Sequence, residues 1–224
     1  RRQRGDAGVI GELAERSGLS LRTLRHYDEI AFKLQRSGRM GTYPQNKGQE
    51  AAAAGSGFAI RKHAPGSWLV PCYRENTALF LNGLPMEKIL LHWMGDERGN
   101  QIPDGVNIMP ISIPIGTHPL HAVGLAWSMK YRETENGQKN DRVAISYFGD
   151  GATSEGDFHV GLNVAGVKAL PIVFLCQNNQ WSISVPVGCQ TAAATLHAIH
   201  YHGFDVARRQ VDRLRLGVAD ITDG

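Results

Sequence analysis

The feature that most constrains the fold of this chain is a pair of short apolar runs separated by one helical segment. VAISYF occupies residues 143–148, PIVFLC occupies residues 171–176, and DFHVGLNVAGVKAL lies between them at residues 157–170. Continuous apolar runs rich in β-branched and aromatic residues are typical of strands buried on both faces, as in parallel strands joined by a helix. Further helices are predicted over residues 47–62 and 117–132. The pattern predicts an α/β fold in which a parallel sheet is flanked by helices.

Polar residues follow both predicted strands where each strand ends. Gly149, Asp150 and Gly151 come directly after the first strand, and Asn178 and Asn179 follow the second. Ligands of open parallel sheets bind beyond the carboxyl ends of the strands, so Asp150 and Asn179 are expected to face one crevice. Carboxylate and amide oxygens are suitable ligands for Mg²⁺, and the glycines would let phosphate groups approach the backbone. We predict a site for magnesium and phosphate, although each motif alone also fits an ordinary turn.

The spacing of the two motifs is similar to the thiamin diphosphate fingerprint, and the surrounding sequence resembles one family closely. Residues 28–195 resemble the alpha subunit of the 2-oxo acid dehydrogenase first component, through LQRSGRMGTYPQNKGQEA, WLVPCYREN, RGNQIPDG, ISIPIGTHPLHAVGLA and YFGDGATSEGDFHVGLNVAGVKALPIVFLCQNNQWSISVP. The resemblance implies a thiamin-diphosphate-binding fold and oxidative decarboxylation of pyruvate or a branched-chain 2-oxo acid, with acyl transfer to lipoyl. The sequence FGDGATSEGD at residues 148–157 slightly favours the branched-chain type.

The same resemblance implies roles for particular residues. Asp150, the side-chain oxygen of Asn179 and the carbonyl of Trp181 would bind Mg²⁺. Ile115 would be the apolar wedge that keeps the cofactor folded. The cofactor-binding residues that the resemblance implies are Tyr73 and Arg74 at the phosphates, Ile113 and Ile115 at the aminopyrimidine, Gly149, Asp150, Gly151 and Ala152 at the diphosphate, and Asn179 and Ile183.

Some positions depart from the family's pattern. Ser112, Pro114 and Thr117 fall where some members bind potassium, but His118 differs from the usual residue there, so a K⁺ site is left open. Gln177 stands where branched-chain enzymes can carry a phosphate-binding arginine. One cation at the phosphates is therefore expected to be absent.

Residues 197–224 match the family poorly, and we predict a divergent tail after a fold truncated at its C-terminus. His197, His200 and His202 are interpreted as surface or capping histidines. No residue of this chain is assigned a catalytic role, because the glutamate that activates the cofactor in this family belongs to a beta subunit. The implied partners are that beta subunit, in an assembly of two alpha and two beta subunits, and a lipoyl-bearing acyltransferase core. The isolated chain is expected to be inactive.

The N-terminal segment suggests a different function. Residues 9–30 predict two short helices with Ser20 as the cap of the second, and they resemble the helix-turn-helix of MerR-type transcriptional regulators. Arg22 and Arg25 would then be candidates for contact with DNA. The wing and dimerisation helix of those regulators are not recognisable after residue 30, so a DNA-binding regulator fragment or an inactive chimera is the alternative function. The predicted domains are residues 1–30, 31–196 and 197–224.

Composition limits the remaining possibilities. No apolar run approaches the roughly 20 residues of a bilayer crossing, so no membrane association is expected. Cys72, Cys176 and Cys189 are too widely spaced for a CxxC metal site or a disulfide framework. The chain begins RRQRGDAG, which we interpret as a trimmed or spliced start and not as a secretory signal. The cytoplasm of a bacterium or archaeon is favoured over a mitochondrial matrix.

Overall fold

A computed structural model describes residues 21–137 and 141–192 of the chain. It divides into two compact units. Of the described residues, 21–62 and 73–110 form the first, here called the helical unit, and 63–72, 111–137 and 141–192 form the second, here called the sheet unit. The first predicted helix of the N-terminal segment, the predicted boundary at residue 196, and His197, His200 and His202 lie outside the described residues.

The helical unit begins with a helix that runs past the point where the sequence suggested a break. Helix α1, Leu21–Arg36, continues through Ile30 without interruption. Ala31 is fully buried, and the helix gives way only at Gly38, whose φ of 71° is left-handed. The second predicted helix therefore does not end at residue 30, and the predicted domain boundary there falls within continuous secondary structure. The remaining elements are α2 (Glu50–His63), α3 (Asn76–Leu81), α4 (Met86–Trp93) and a 3₁₀ helix (Glu97–Asn100).

Helices α2 and α3 approach each other at a glycine. A Cβ atom on Gly57 would lie 2.7 Å from the Cα atom of Ala78, which is closer than side-chain carbons come to backbone. The Asn82 amide donates a hydrogen bond of 3.0 Å to the Gly57 carbonyl at the same contact. Glycine at position 57 is thus required by backbone packing.

The sheet unit contains the predicted strand–helix–strand arrangement. Strands β1 (Trp68–Val70), β2 (Ala144–Gly149) and β3 (Ile172–Gln177) form a parallel sheet with β2 in the middle. Ala144 is aligned with Trp68 on one side and Ile172 on the other, and Gly149 is aligned with Gln177. The predicted α/β class is confirmed. Because β2 and β3 are parallel and end in register, the residues that follow them lie side by side at the carboxyl ends of the strands.

Two helices pack on this sheet. Helix α5, Thr117–Asn136, contacts all three strands, and helix α6, Gly156–Val167, connects β2 to β3. The two helices meet at Gly161, where a Cβ atom would lie 3.5 Å from Leu120. Helix α5 extends beyond residue 132, so part of the stretch predicted as a polar linker is helical, and it ends at Gly137 with φ 65°.

A short hairpin follows the sheet. Strands β4 (Trp181–Ser182) and β5 (Val185–Pro186) are antiparallel, and a short helix α7, Val187–Gln190, comes next. Across the described part of the chain, we find no helix with the length and apolar character needed to cross a bilayer.

Candidate functional site

Asp150 stands at the carboxyl end of β2 as the first residue of a 3₁₀ helix, Asp150–Ser154. Only 1% of its surface is exposed. Burial raises the pKa of its carboxyl group, while hydrogen bonds from its own backbone N–H, the Gln190 amide and the Asn179 N–H act in the opposite direction. None of the ion pairs formed among the described residues includes Asp150. A buried carboxylate without a cationic partner is a favourable position for a metal ion.

The backbone N–H of Asn179 donates a hydrogen bond to the Asp150 carboxylate. The Asn179 side chain stabilises the turn after β3. The Asn179 Oδ1 atom accepts a hydrogen bond of 3.0 Å from the N–H of Trp181. The Oδ1 atom of Asn178 accepts one of 2.8 Å from the N–H of Gln180, whose φ is 66°. These two Asx turns reverse the chain. They bring the second polar motif next to the first, and one lone pair of the Asn179 oxygen remains available.

The hairpin lies directly on the 3₁₀ helix that begins at Asp150. A Cβ atom on Gly151 would be 2.5 Å from Ser182 Oγ, so a larger residue at position 151 would displace the hairpin. Ile183, at the tip, is 93% exposed and has φ 57°, a strained conformation for a β-branched residue. Trp181 and Val185 are exposed as well. The structure thus presents apolar side chains to solvent beside the buried carboxylate.

Gly149 and Ala152, the other residues predicted at the diphosphate, differ in what they can offer a ligand. Gly149 is half-buried and extended, and a Cβ atom there would meet only the Gln177 carbonyl, at 3.9 Å. Ala152 is 1% exposed, and its side chain belongs to a core cluster with Phe148, Phe158 and Leu162. Only the backbone of Ala152 can therefore serve a ligand.

Ile113 and Ile115 have different surroundings. Ile113 is 49% exposed, whereas Ile115 is half-buried and packs against the core cluster around Phe148. Gly116, with φ 86°, follows them, and a Cβ atom there would lie 2.8 Å from the Glu155 side chain. The close contact with Glu155 fixes the path of this loop into helix α5. The predicted wedge role of Ile115 stays a prediction.

Tyr73 and Arg74 lie in the helical unit. The Arg74 guanidinium donates a hydrogen bond of 2.8 Å from Nη1 to the Gln45 carbonyl and lies over the Tyr73 ring, 5.5 Å from its centroid. Both side chains are half-buried. One carbonyl uses only part of the five donors of a guanidinium, so Arg74 retains capacity for an anion.

His118 is buried at the start of α5, with 1% of its surface exposed. Burial lowers the pKa of its imidazole to about 4. The ring is therefore neutral at pH 7. His118 is the residue that differs from the family's potassium-binding pattern, which otherwise comprises Ser112, Pro114 and Thr117. The structure therefore has a buried, neutral imidazole at that position.

Sequence reasoning missed two residues that adjoin Asp150. The Gln190 amide donates to Asp150 Oδ2 over 3.5 Å, and burial together with the nearby Asp150 raises the pKa of Cys176 to about 12. No spacing rule connects Gln190 to Asp150, because the contact depends on how the hairpin folds back. Within the described residues no group of three or more His, Cys, Asp or Glu side chains could hold a metal ion. The predicted Mg²⁺ ligands are one carboxylate, one amide oxygen and one backbone carbonyl. They include only one side chain of those four types.

Comparison with known proteins gives one consistent family. Residues 20–212 match the family described as Dehydrogenase E1 component. Over 172 residues, 77% of this chain, it is 42% identical to the pyruvate dehydrogenase E1 component subunit alpha of Acholeplasma laidlawii, covering 47% of that protein. It is 41% identical over the same length to the 3-methyl-2-oxobutanoate dehydrogenase subunit alpha of Mycobacterium tuberculosis (strain ATCC 25618 / H37Rv), covering 44% of it. The chain spans about half the length of these curated relatives.

The family match also bears on the N-terminal segment. It begins at residue 20, before the residue 28 suggested by sequence motifs, and ends beyond residue 195. The second predicted helix of the N-terminal segment, which is capped by Ser20, therefore lies inside the family match. The matches favour the enzyme interpretation over the DNA-binding alternative.

Proposed function

The chain belongs to the Dehydrogenase E1 component family, and we propose that it binds thiamin diphosphate and Mg²⁺ as the alpha subunit of a 2-oxo acid dehydrogenase. The observation that carries this proposal is the buried Asp150 carboxylate at the carboxyl end of β2, hydrogen-bonded to the backbone of Asn179. Both halves of the predicted fingerprint meet there.

The residues at this site fit the proposed metal. Mg²⁺ prefers hard oxygen ligands, and the Asp150 carboxylate, Asn179 Oδ1 and the Trp181 carbonyl are such ligands. The raised pKa of Asp150 shows that its charge is costly where it stands. A divalent cation would remove that cost.

The proposed cofactor-binding residues fall into a polar group and an apolar group. The backbone of Gly149, Gly151 and Ala152, all in the sheet unit, would hold the diphosphate. For Tyr73 and Arg74, a phosphate-binding role rests on the family resemblance alone, and their chemistry suits it because Arg neutralises and Tyr orients a phosphate oxygen. The exposed apolar side chains at positions 113 and 183, together with Ile115, would exclude water from the rings. When bound, the cofactor supplies the carbanion chemistry of decarboxylation, and the protein supplies binding and electrostatics.

The proposed substrates are pyruvate or a branched-chain 2-oxo acid. Both types are kept because the names of the relatives include both pyruvate and 3-methyl-2-oxobutanoate. The proposed partners are a beta subunit, in an assembly of two alpha and two beta subunits, and a lipoyl-bearing acyltransferase core that accepts the acyl group. The proposed location is the cytoplasm.

Cofactor binding is the first test. Thiamin diphosphate with Mg²⁺ should raise the melting temperature of the chain, because a ligand of the folded state at 100 times its Kd stabilises it by about 2.7 kcal/mol. Thiamin diphosphate with EDTA is the matched control and should give a smaller shift. The proposal fails if saturating cofactor and Mg²⁺ produce no shift either with or without a beta subunit.

Activity is the second test. The chain reconstituted with a beta subunit should reduce an artificial acceptor with pyruvate or branched-chain 2-oxo acids, and the chain alone should not. Turnover by the pure chain would contradict the assignment as a dependent alpha subunit. Exchanging K⁺ for Na⁺ in the same assay tests the potassium site at Ser112, Pro114 and Thr117.

A further inference from the structure

Gln190, the last residue of α7, connects several parts of the site through one amide group. Its Nε2 atom donates a hydrogen bond of 3.0 Å to the Val185 carbonyl in the hairpin and lies 3.5 Å from Asp150 Oδ2. Its Oε1 atom lies 3.5 Å from the Ser154 hydroxyl, at the end of the 3₁₀ helix. The side chain therefore joins the hairpin to the carboxylate at the end of β2.

The chemistry of an amide suits this place. Glutamine offers two N–H donors and an acceptor oxygen, so one side chain can contact a carbonyl, a carboxylate and a hydroxyl together. It is neutral, and it orients Asp150 without cancelling the charge that would attract a metal ion. A lysine or arginine in the same place would compensate that charge and compete with a cation.

We propose that Gln190 is a positioning residue for the metal site, fixing the Asp150 carboxylate relative to the hairpin that carries the Trp181 carbonyl. This inference rests on the proposed function, because it assumes that Asp150 and Trp181 bind Mg²⁺. Mg²⁺ requires near-ideal octahedral geometry at short distances, whereas Ca²⁺ accepts more ligands and a two-oxygen carboxylate. A carboxylate that is free to rotate should therefore lose Mg²⁺ more than Ca²⁺.

The test substitutes Gln190→Met, which keeps the length of the side chain and removes its hydrogen bonds. Binding of Mg²⁺ and of Ca²⁺ is measured by calorimetry in the presence of thiamin diphosphate, on the full chain with and without a beta subunit. The Kd for Mg²⁺ should rise by about 10- to 100-fold, as for other residues that orient metal ligands. The Kd for Ca²⁺ should rise much less. Gln190→Ala should give the same change in selectivity.

The matched control is Gln101→Met, at an exposed glutamine in the helical unit, which should leave both affinities unchanged. Equal weakening of Mg²⁺ and Ca²⁺ binding would mean a general structural effect and would overturn the inference. Tighter Mg²⁺ binding would overturn it as well, because Gln190 would then occupy the place of the cation.

The two proposals fail differently. If the wild-type chain binds Mg²⁺ with thiamin diphosphate and Gln190→Met binds them equally well, only the role of Gln190 is wrong. If the wild-type chain binds neither with or without a beta subunit, the proposed function is wrong and the role of Gln190 falls with it.

Discussion

Asp28 and Asp150 are two acids with similar electrostatics and different surroundings. Burial is the main factor that raises the pKa of each carboxyl group, and hydrogen bonds oppose the increase in both. Asp28 lies in the helical unit on α1, where its Oδ1 atom accepts a hydrogen bond of 2.5 Å from the Tyr43 hydroxyl. Asp150 lies at the carboxyl end of β2, the central strand of the sheet, between two glycines.

Asp28 and Asp150 differ in the groups that surround each carboxylate. The Tyr43 hydroxyl that binds Asp28 also accepts a hydrogen bond of 3.1 Å from Asn76, and the Tyr43 ring packs edge-on against Tyr27 and Trp93. Asp28 thus belongs to a network closed by side chains of its own unit. Asp150 receives backbone N–H groups and one long amide contact, beside an exposed hairpin. A raised carboxyl pKa alone does not distinguish a structural acid from a metal ligand, whereas the neighbouring groups do.

Of the substitutions that test the difference between Asp28 and Asp150, Asp150→Asn should have the largest effect. The substitution keeps the shape of the side chain and removes the charge, so Mg²⁺ binding with thiamin diphosphate should weaken about 1,000-fold, which is about 4 kcal/mol. Without metal, the variant should be at least as stable as the wild-type chain, because no charge is buried. Calorimetry and urea denaturation measure the two effects.

Asp28→Asn is the matched control for that substitution. It removes the charge of the half-buried Asp28 and should leave the Mg²⁺ affinity unchanged. Equal loss of Mg²⁺ binding in both variants would show that the contrast between the two acids is not real.

The next largest effect concerns a buried base, His118. Its folded pKa of about 4 lies below the ordinary value of 6.5, so between these values the unfolded chain binds a proton that the folded chain does not. The free energy of unfolding should therefore decrease as the pH falls from 6.5 to 4, by at most about 3 kcal/mol, and should not decrease further below pH 4 on account of this group. Urea denaturation at several pH values, on wild type and His118→Gln, isolates the contribution.

The two acids act in the opposite sense in that experiment. Because their folded pKa values are raised, their contributions decrease as the pH rises above about 3.8, and they are the same in both proteins. The exposed His63 provides the control, and His63→Gln should follow the wild-type curve. Parallel curves for wild type and His118→Gln would contradict the burial of a neutral imidazole.

The smallest expected effect is that of Tyr43→Phe. It leaves the Asp28 carboxyl and the Asn76 amide without a shared partner, and it should lower the free energy of unfolding by about 2 kcal/mol. Mg²⁺ binding should not change. Tyr131→Phe, at a tyrosine that is 59% exposed, should leave stability unaltered. A loss of Mg²⁺ affinity in Tyr43→Phe would mean that the Asp28 network also serves the site.

Local sequence patterns predicted much of the sheet unit. The runs at 143–148 and 171–176 became β2 and β3 within one residue, because parallel strands buried on both faces need continuous apolar sequence. The predicted end of the second N-terminal helix at residue 30 was wrong, because Leu21–Arg36 is one continuous helix that buries Ala31. Helix α1 ends at Arg36, just before the left-handed Gly38, and not where the resemblance to the other family ends.

By itself, the sequence determined which segments form the parallel strands and that Asp150 and Asn179 follow them, since apolar periodicity and chain order are local properties. Only the tertiary structure decided the rest. The register that aligns Gly149 with Gln177, the inward direction of the Ala152 side chain and the return of Gln190 to Asp150 all depend on it. These contacts join residues far apart in the chain, and packing selects them after the individual elements have formed.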